Sequence, residues 1–343
     1  MVWVKNKTKS APESEQAVVA IGEDLQKKAA QSEDQLKTTG LNHWIRLRDD
    51  WIFWKDDTNQ NMTKLISDQH FYKIKKDLLA KGKLFEDTSF PLEQAMGNLG
   101  NFKNQRITWR RPHEICSDGM KPQFLVGDST RLNVKGLQRG RYWLVAAMIS
   151  LALNPVQLKK IAPEDQSFDY GEYAGIFRIR LWQYGQWQNV IFDDRVPTLL
   201  NSDEITYAHS QKKEVFWSVL LEKAYAKLHW SYDALNGGNE SEAMEDFTGG
   251  LTIIHDPKAH RKLFKIADTS FKRSCLMTCN IKSAQDGSGD QTKFNLYRHH
   301  AYSITNFSRI ASNTIPVVRI RNPGGTTRSG MELIVTIHQN GKI

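Results

Sequence analysis

Hydrophobic and polar positions divide this chain into stretches of different character. Residues 10–40 are polar and alternate in charge (Glu13, Glu15, Glu23, Asp24, Lys27, Lys28), the pattern of a solvated helix or of a segment that stays disordered. Residues 41–57 change to apolar positions three and four apart (Trp44, Leu47, Trp51, Trp54), which predicts an amphipathic helix. Residues 143–153 form an apolar run, which predicts a buried helix, and a second helix is expected over 215–228. Residues 173–187 and 194–197 are rich in aromatic and β-branched side chains and predict an antiparallel excursion. From Leu251 onward the chain reads as strands, at 293–297, 301–307, 317–321 and 332–339, the last with Leu333, Val335 and Ile337 alternating. The expected class is α+β, helical to about Gly250 and β-rich beyond it.

Composition narrows the picture. With 343 residues, 40% hydrophobic and 25% charged, the chain can build two domains or one large two-lobed one. No apolar run nears the ~20 residues of a membrane span. The start, MVWVKNK, lacks a signal-peptide core, so the expected compartment is the cytoplasm. A net charge of +9 permits attraction to acidic surfaces. There is no dense basic block, zinc-finger spacing or RNA-binding aromatic motif, and nucleic acid is not an expected partner. The amphipathic face of 41–57 packs on the rest of the chain or faces a protein partner or a membrane surface. Cys116, Cys275 and Cys279 lack metal-site spacing and read as reduced thiols rather than ligands or catalysts.

In the stretch from Arg139 to Ala147, Gly140 precedes the apolar helix and puts Tyr142 at the positive end of its dipole. A thiol there, beside an imidazole and donors aimed at a developing oxyanion, would make a cysteine protease. A phenol ionises near about 10, against about 8.5 for a thiol. It stays protonated at neutral pH and is bulky. Taken alone, Tyr142 is an ordinary half-buried aromatic at a helix start.

Its surroundings change that reading. The strings LFEDTSFP (84–91), ITWRRP (107–112), PQFLVG (122–127), YAGIF (173–177), WQYGQW (182–187), DDRVPT (193–198), LLEKAYAK (220–227) and EDFTGG (245–250) follow one another in a family order. Over residues 68–325 the chain resembles the calpain-type cysteine proteases, whose nucleophile helix reads QGxLGDCWLLAA. The resemblance implies a papain-like core with a helical first half (67–250) and a β-rich second half (251–343), preceded by an N-terminal extension (1–66). It places the catalytic cysteine on Tyr142 and the oxyanion glutamine on Gly136. It matches His300, in HHAYSI, to the general base, and Asn322, in RIRNPGG, to the residue that orients it. Arg141 replaces an aspartate and would favour a thiolate, were one present, while Gly324 replaces a cleft-wall tryptophan. His300 is otherwise a structural histidine on a strand.

The family also binds calcium in two loops, and calcium needs roughly six to eight oxygen ligands. The first loop corresponds to Val126 and Asp128 by backbone carbonyl, with Asn133 and Val215 standing where carboxylates are expected. In the second loop Arg328 replaces a glutamate. The degraded set implies no required cofactor, with weak calcium binding open through Asp128 and Glu214. Relatives continue beyond the point where the resemblance stops, so an incomplete second half with exposed strand edges is expected. Three functions stay open. The first is an inactive protease homologue that binds protein partners, such as substrates or inhibitors of active calpains. The second is a calcium-dependent cysteine endopeptidase, and the third is a truncated form without an independent role.

Overall fold

The computed structural model describes residues 2–5, 68–97, 107–116, 119–125, 134–136, 140–256, 262–281, 296–310, 315–324 and 332–336. The expected amphipathic helix at 41–57 and the polar stretch before it lie outside these residues. The described residues fall in one main unit, which includes residues 2–5. The first residues of the expected extension therefore belong to the main unit.

In chain order the main unit runs β1 (Val2–Lys5), α1 (Asp68–Lys81), α2 (Leu92–Ala95), β2 (Ile107–Arg110), α3 (Pro112–Ile115), β3 (Val134–Lys135), α4 (Tyr142–Ala152) and α5 (Pro155–Ile161). The strands β4 (Ile176–Gln183), β5 (Gln186–Asp193), β6 (Val196–Leu199) and β7 (His209–Ser210) follow, then α6 (Trp217–Leu228) and α7 (Glu240–Thr248). The last third holds β8 (Leu251–Ile254), α8 (Leu263–Lys272), β9 (Leu276–Ile281), β10 (His300–Ile310), β11 (Ile315–Arg321) and β12 (Glu332–Thr336). Within the described residues the expected helices and strands are present with small shifts at their ends, but the stretch from Leu251, expected to read as strands, also holds the helix α8. At 293–297 the described part, 296–297, carries only a bridge.

Helix α4 is buried from Trp143 to Ala152, as a helix apolar on all sides must be. It lies between the two halves, against β9 and β10 on one side and α5, α7 and β3 on the other. Two buried hydroxyls fasten it to the sheet: Ser303 Oγ donates to Ala146 O at 2.7 Å and Ser150 Oγ to Met277 O at 2.8 Å. The sheet has the order β12-β11-β10-β9-β1-β8, and its paired neighbours are antiparallel. In the helical half the β4–β5 hairpin closes on Tyr184 and Gly185, both at positive φ, 56° and 77°, which fits the twist of a two-residue turn.

A buried charge network holds α6 to this hairpin. Lys223 Nζ donates to Asp193 Oδ1 and to Arg195 O, each at 2.6 Å, and both ionic side chains are fully buried. Burial alone would raise the Asp193 carboxyl, but Lys223 and Arg195 beside it hold it far below the usual carboxylate range. Next to it, Asp194 accepts from Arg111 and from Tyr173 Oη. Lys227 reaches Asp87 at 2.6 Å.

Candidate functional site

The N-terminus of α4 and the start of β10 meet where the two halves join. Arg141 caps the helix and Tyr142 is its first residue, half-buried. The Tyr142 ring lies 4.5 Å from the His300 imidazole, centroid to centroid, at an interplanar angle of 67°. His300 is 8% exposed, and its Nε2 donates to Asn322 Oδ1 at 2.8 Å. Because that oxygen only accepts, the bond fixes the proton on Nε2 and leaves the Nδ1 lone pair free of it in the neutral ring. Burial lowers the His300 pKa, opposed in part by the Asn322 bond, so the imidazole is neutral at physiological pH. Asn322 Oδ1 also accepts from Gly324 N at 2.9 Å.

Both glycines at the site lie in close contact with their neighbours. A Cβ on Gly324 would stand 3.2 Å from Tyr142 Cε1 and 3.3 Å from Cζ, so the phenol ring occupies the space a side chain there would enter. Gly136 donates its N–H to Pro323 O at 2.9 Å, which brings it beside the Asn322 loop. A Cβ on Gly136 would come within 2.9 Å of Val145 Cγ2 on α4. The structure thus gathers Tyr142, His300, Asn322, Gly136 and Gly324 in one place. The mutual fit of Tyr142 with Gly324 was not foreseen from the sequence. A large residue and a small one, both at altered positions of one motif set, were the available signal.

Arg141 turns away from this site. Its guanidinium is 2% exposed, stacks 4.1 Å from the Tyr207 ring centroid, and donates to Tyr232 O at 2.5 Å and Asn236 Oδ1 at 3.2 Å. Glu222, 3.5 Å away and equally buried, balances its charge. Burial raises the Glu222 pKa, and Arg141 and the Ala208 N–H oppose the rise. The expectation that Arg141 would promote a thiolate gives way to a structural ion pair inside the helical half.

Thiolate formation is disfavoured at Cys116 and Cys279. Burial raises the Cys116 thiol, aided by Glu214, and pushes Cys279 up to about 12. The hydrogen bond of the His300 side chain goes to Asn322. Val215 is buried in the apolar core, and its side chain offers no oxygen to a cation. Val126, Asp128, Asn133 and Arg328 lie outside the described residues. Among the described residues, no group of three or more His, Cys, Asp or Glu side chains could hold a metal ion.

The family profile described as "Calpain family cysteine protease" matches residues 85–330. This chain belongs to the calpain family. It is 39% identical over 277 residues to Calpain-8 of Mus musculus, covering 78% of this chain and 38% of that protein. It is 43% identical over 264 residues to Calpain-A of Drosophila melanogaster, covering 75% and 31%. It is 40% identical over 266 residues to the Calpain-2 catalytic subunit of Homo sapiens, covering 75% and 37%. The chain therefore spans well under half the length of these calpains. Its α+β architecture is that of the calpain protease core. Among the described residues, no single helix is long and apolar enough to cross a membrane.

Proposed function

We propose that this calpain-family chain is a catalytically inactive protease homologue that acts by binding protein partners, with substrates or inhibitors of active calpains as the partner class. The observation that carries this reading is the Tyr142 ring, packed 4.5 Å from His300 at the helix N-terminus where a cysteine protease holds its thiol. A phenol at that point is a poor nucleophile at neutral pH. Gly136 lacks the side chain that would donate to an oxyanion, and a side chain added there would press on Val145. The apolar Val215 supports a function that does not call on calcium.

A second reading, a calcium-dependent cysteine endopeptidase, is favoured by one observation: the His300–Asn322 bond of 2.8 Å keeps the geometry of a general base and its orienting amide. The raised thiols of Cys116 and Cys279 weigh against it. The binding reading is tested by fluorescence anisotropy, titrating the full chain into a labelled unstructured casein with calcium or with chelator. Saturable binding that leaves the casein intact, equal in both conditions, is expected. No binding, or cleavage, would overturn it.

A further inference from the structure

Helix α8 is pinned by one face and basic on the other. Leu263 and Ala267 are buried, and the rings of Phe264 and Phe271 meet Phe307 of β10 edge to face, with centroids 5.8 and 5.5 Å apart. At about 100° per residue, the opposite arc, about 120° wide, holds Lys262, Lys265, Ile266, Thr269, Lys272 and Arg273, all exposed. Four cations thus line about 16 Å of one convex face. Arg309 adds a fifth, exposed and with its guanidinium 4.9 Å from the Phe264 ring centroid. The one acid in α8, Asp268, is taken up by Lys272 at 2.7 Å.

Helix stability accounts for only half of this arrangement. Lys272 and Arg273 at the C-terminus complement the helix dipole. Lys262 and Lys265 stand at the N-terminus, where cations oppose the dipole and acids are favoured. Lys262 occupies the N-cap itself with no side-chain cap hydrogen bond, and the first turn contains no acid. Two lysines are therefore kept where they weaken the helix, and a negative partner outside the helix is what offsets them.

Shape and residue type point to the kind of partner. Lysine is a point charge, without the fork that grips a single carboxylate or phosphate in two places. A convex row of such charges suits a broad anionic surface, to which each Lys or Arg adds attraction. Ile266, 37% exposed within the row, suits a boundary where charge gives way to hydrocarbon. We propose that the α8 face docks flat on an anionic lipid surface through Lys262, Lys265, Lys272 and Arg273, with Ile266 at the acyl boundary. The net charge of +9 draws the whole chain toward such a surface, and α8 sets which side meets it. The inference rests on α8 and β10 and is independent of what Tyr142 does.

Vesicle co-sedimentation of the full chain tests it, with phosphatidylcholine alone and with about 30% phosphatidylserine added. Binding is expected only with phosphatidylserine, falling at least about tenfold between roughly 0.1 M and 0.5 M salt. The double variant K262E/K265E should lose at least about tenfold in partitioning. It should unfold at the same temperature or slightly above, because acids suit the helix start. The variant K73E/K76E makes the same charge change at exposed positions of α1 and should lose no more than about threefold. Equal losses in the two variants would reduce the effect to net charge and overturn the α8 face. Absence of binding to phosphatidylserine vesicles at low salt would overturn the lipid surface, as would tighter binding to polyglutamate or duplex DNA at equal anionic charge.

Discussion

The Tyr142 ring meets the His300 imidazole edge to face at 4.5 Å, while its Cε1 closes the space above Gly324. Edge-to-face pairs of this kind contribute about 0.5–1.5 kcal/mol beyond their buried area. The histidine that would accept a nucleophile's proton is thereby made part of an aromatic contact. Tyr142 and Gly324 are also complementary in size, so a change at one position alters what the other can hold.

This complementarity predicts non-additive stability. Gly324→Trp in the present chain should cost roughly 1–3 kcal/mol, because its Cβ already presses on the phenol ring. The same substitution with Tyr142→Cys should cost much less, with a coupling of about 1 kcal/mol or more. Urea unfolding of the four proteins in the cycle measures it. Additive effects would show that the two positions do not share space.

Restoring the thiol alone should not restore a protease. Tyr142→Cys is expected to react with iodoacetamide, and the reaction should slow when His300 is replaced by Ala. Peptide turnover should stay about 100- to 1,000-fold below that of the same variant carrying Gly136→Gln as well, because the oxyanion donor is missing. The Gly136→Gln change needs Val145→Ala with it, since a Cβ at 136 lies 2.9 Å from Val145 Cγ2. Steady-state rates for the single and triple variants decide the matter.

Asp246 predicts a pH dependence of stability. Burial first of all, with Glu242 and Glu245 nearby, raises its pKa from 3.8 to about 7 even though Tyr225 Oη donates to it at 2.8 Å. The folded chain therefore holds this proton more tightly than the unfolded chain. The stability it contributes is full below about pH 4 and is lost as pH rises through about 7. Asp246→Asn, which can still accept from Tyr225, should remove that loss and raise stability at pH 8 by roughly 2–4 kcal/mol. Thermal unfolding from pH 4 to 8 should show a flatter profile for the variant. An unchanged slope would contradict the assignment.

The buried pair under α6 predicts a large single-mutant cost. Lys223→Met leaves Asp193 charged and fully buried, with only Arg195 and the Asp87 N–H to balance it. It should lose about 3–5 kcal/mol, and Asp193→Asn added to it should recover part of that loss. Denaturant midpoints for the two variants provide the check.

Much of the fold was legible because patterns were strong. The all-apolar α4, the aromatic hairpin of β4 and β5, and the strands from β10 onward each carry a clear period or composition. The pairing of His300 with Asn322 was legible only from the order of family motifs, since neither residue alone differs from an ordinary strand or turn residue. Three features were not legible. The Val2–Lys5 stretch is too short to announce a central strand, and its partners lie more than 240 residues away. The direction of the Arg141 side chain depends on Glu222, Tyr232 and Asn236, which only tertiary packing brings together. The tight contacts of Gly136 and Gly324 are absences of side chain, and a sequence cannot say what fills the space.

The proposed function requires that no proteolytic chemistry runs at Tyr142 and His300. It is tested most directly by hydrolysis of a fluorogenic peptide library by the full chain in millimolar calcium, beside its His300→Ala variant. Rates for the two proteins that are indistinguishable from each other and from buffer are predicted. Calcium-dependent turnover by the unaltered chain that disappears in His300→Ala would contradict it.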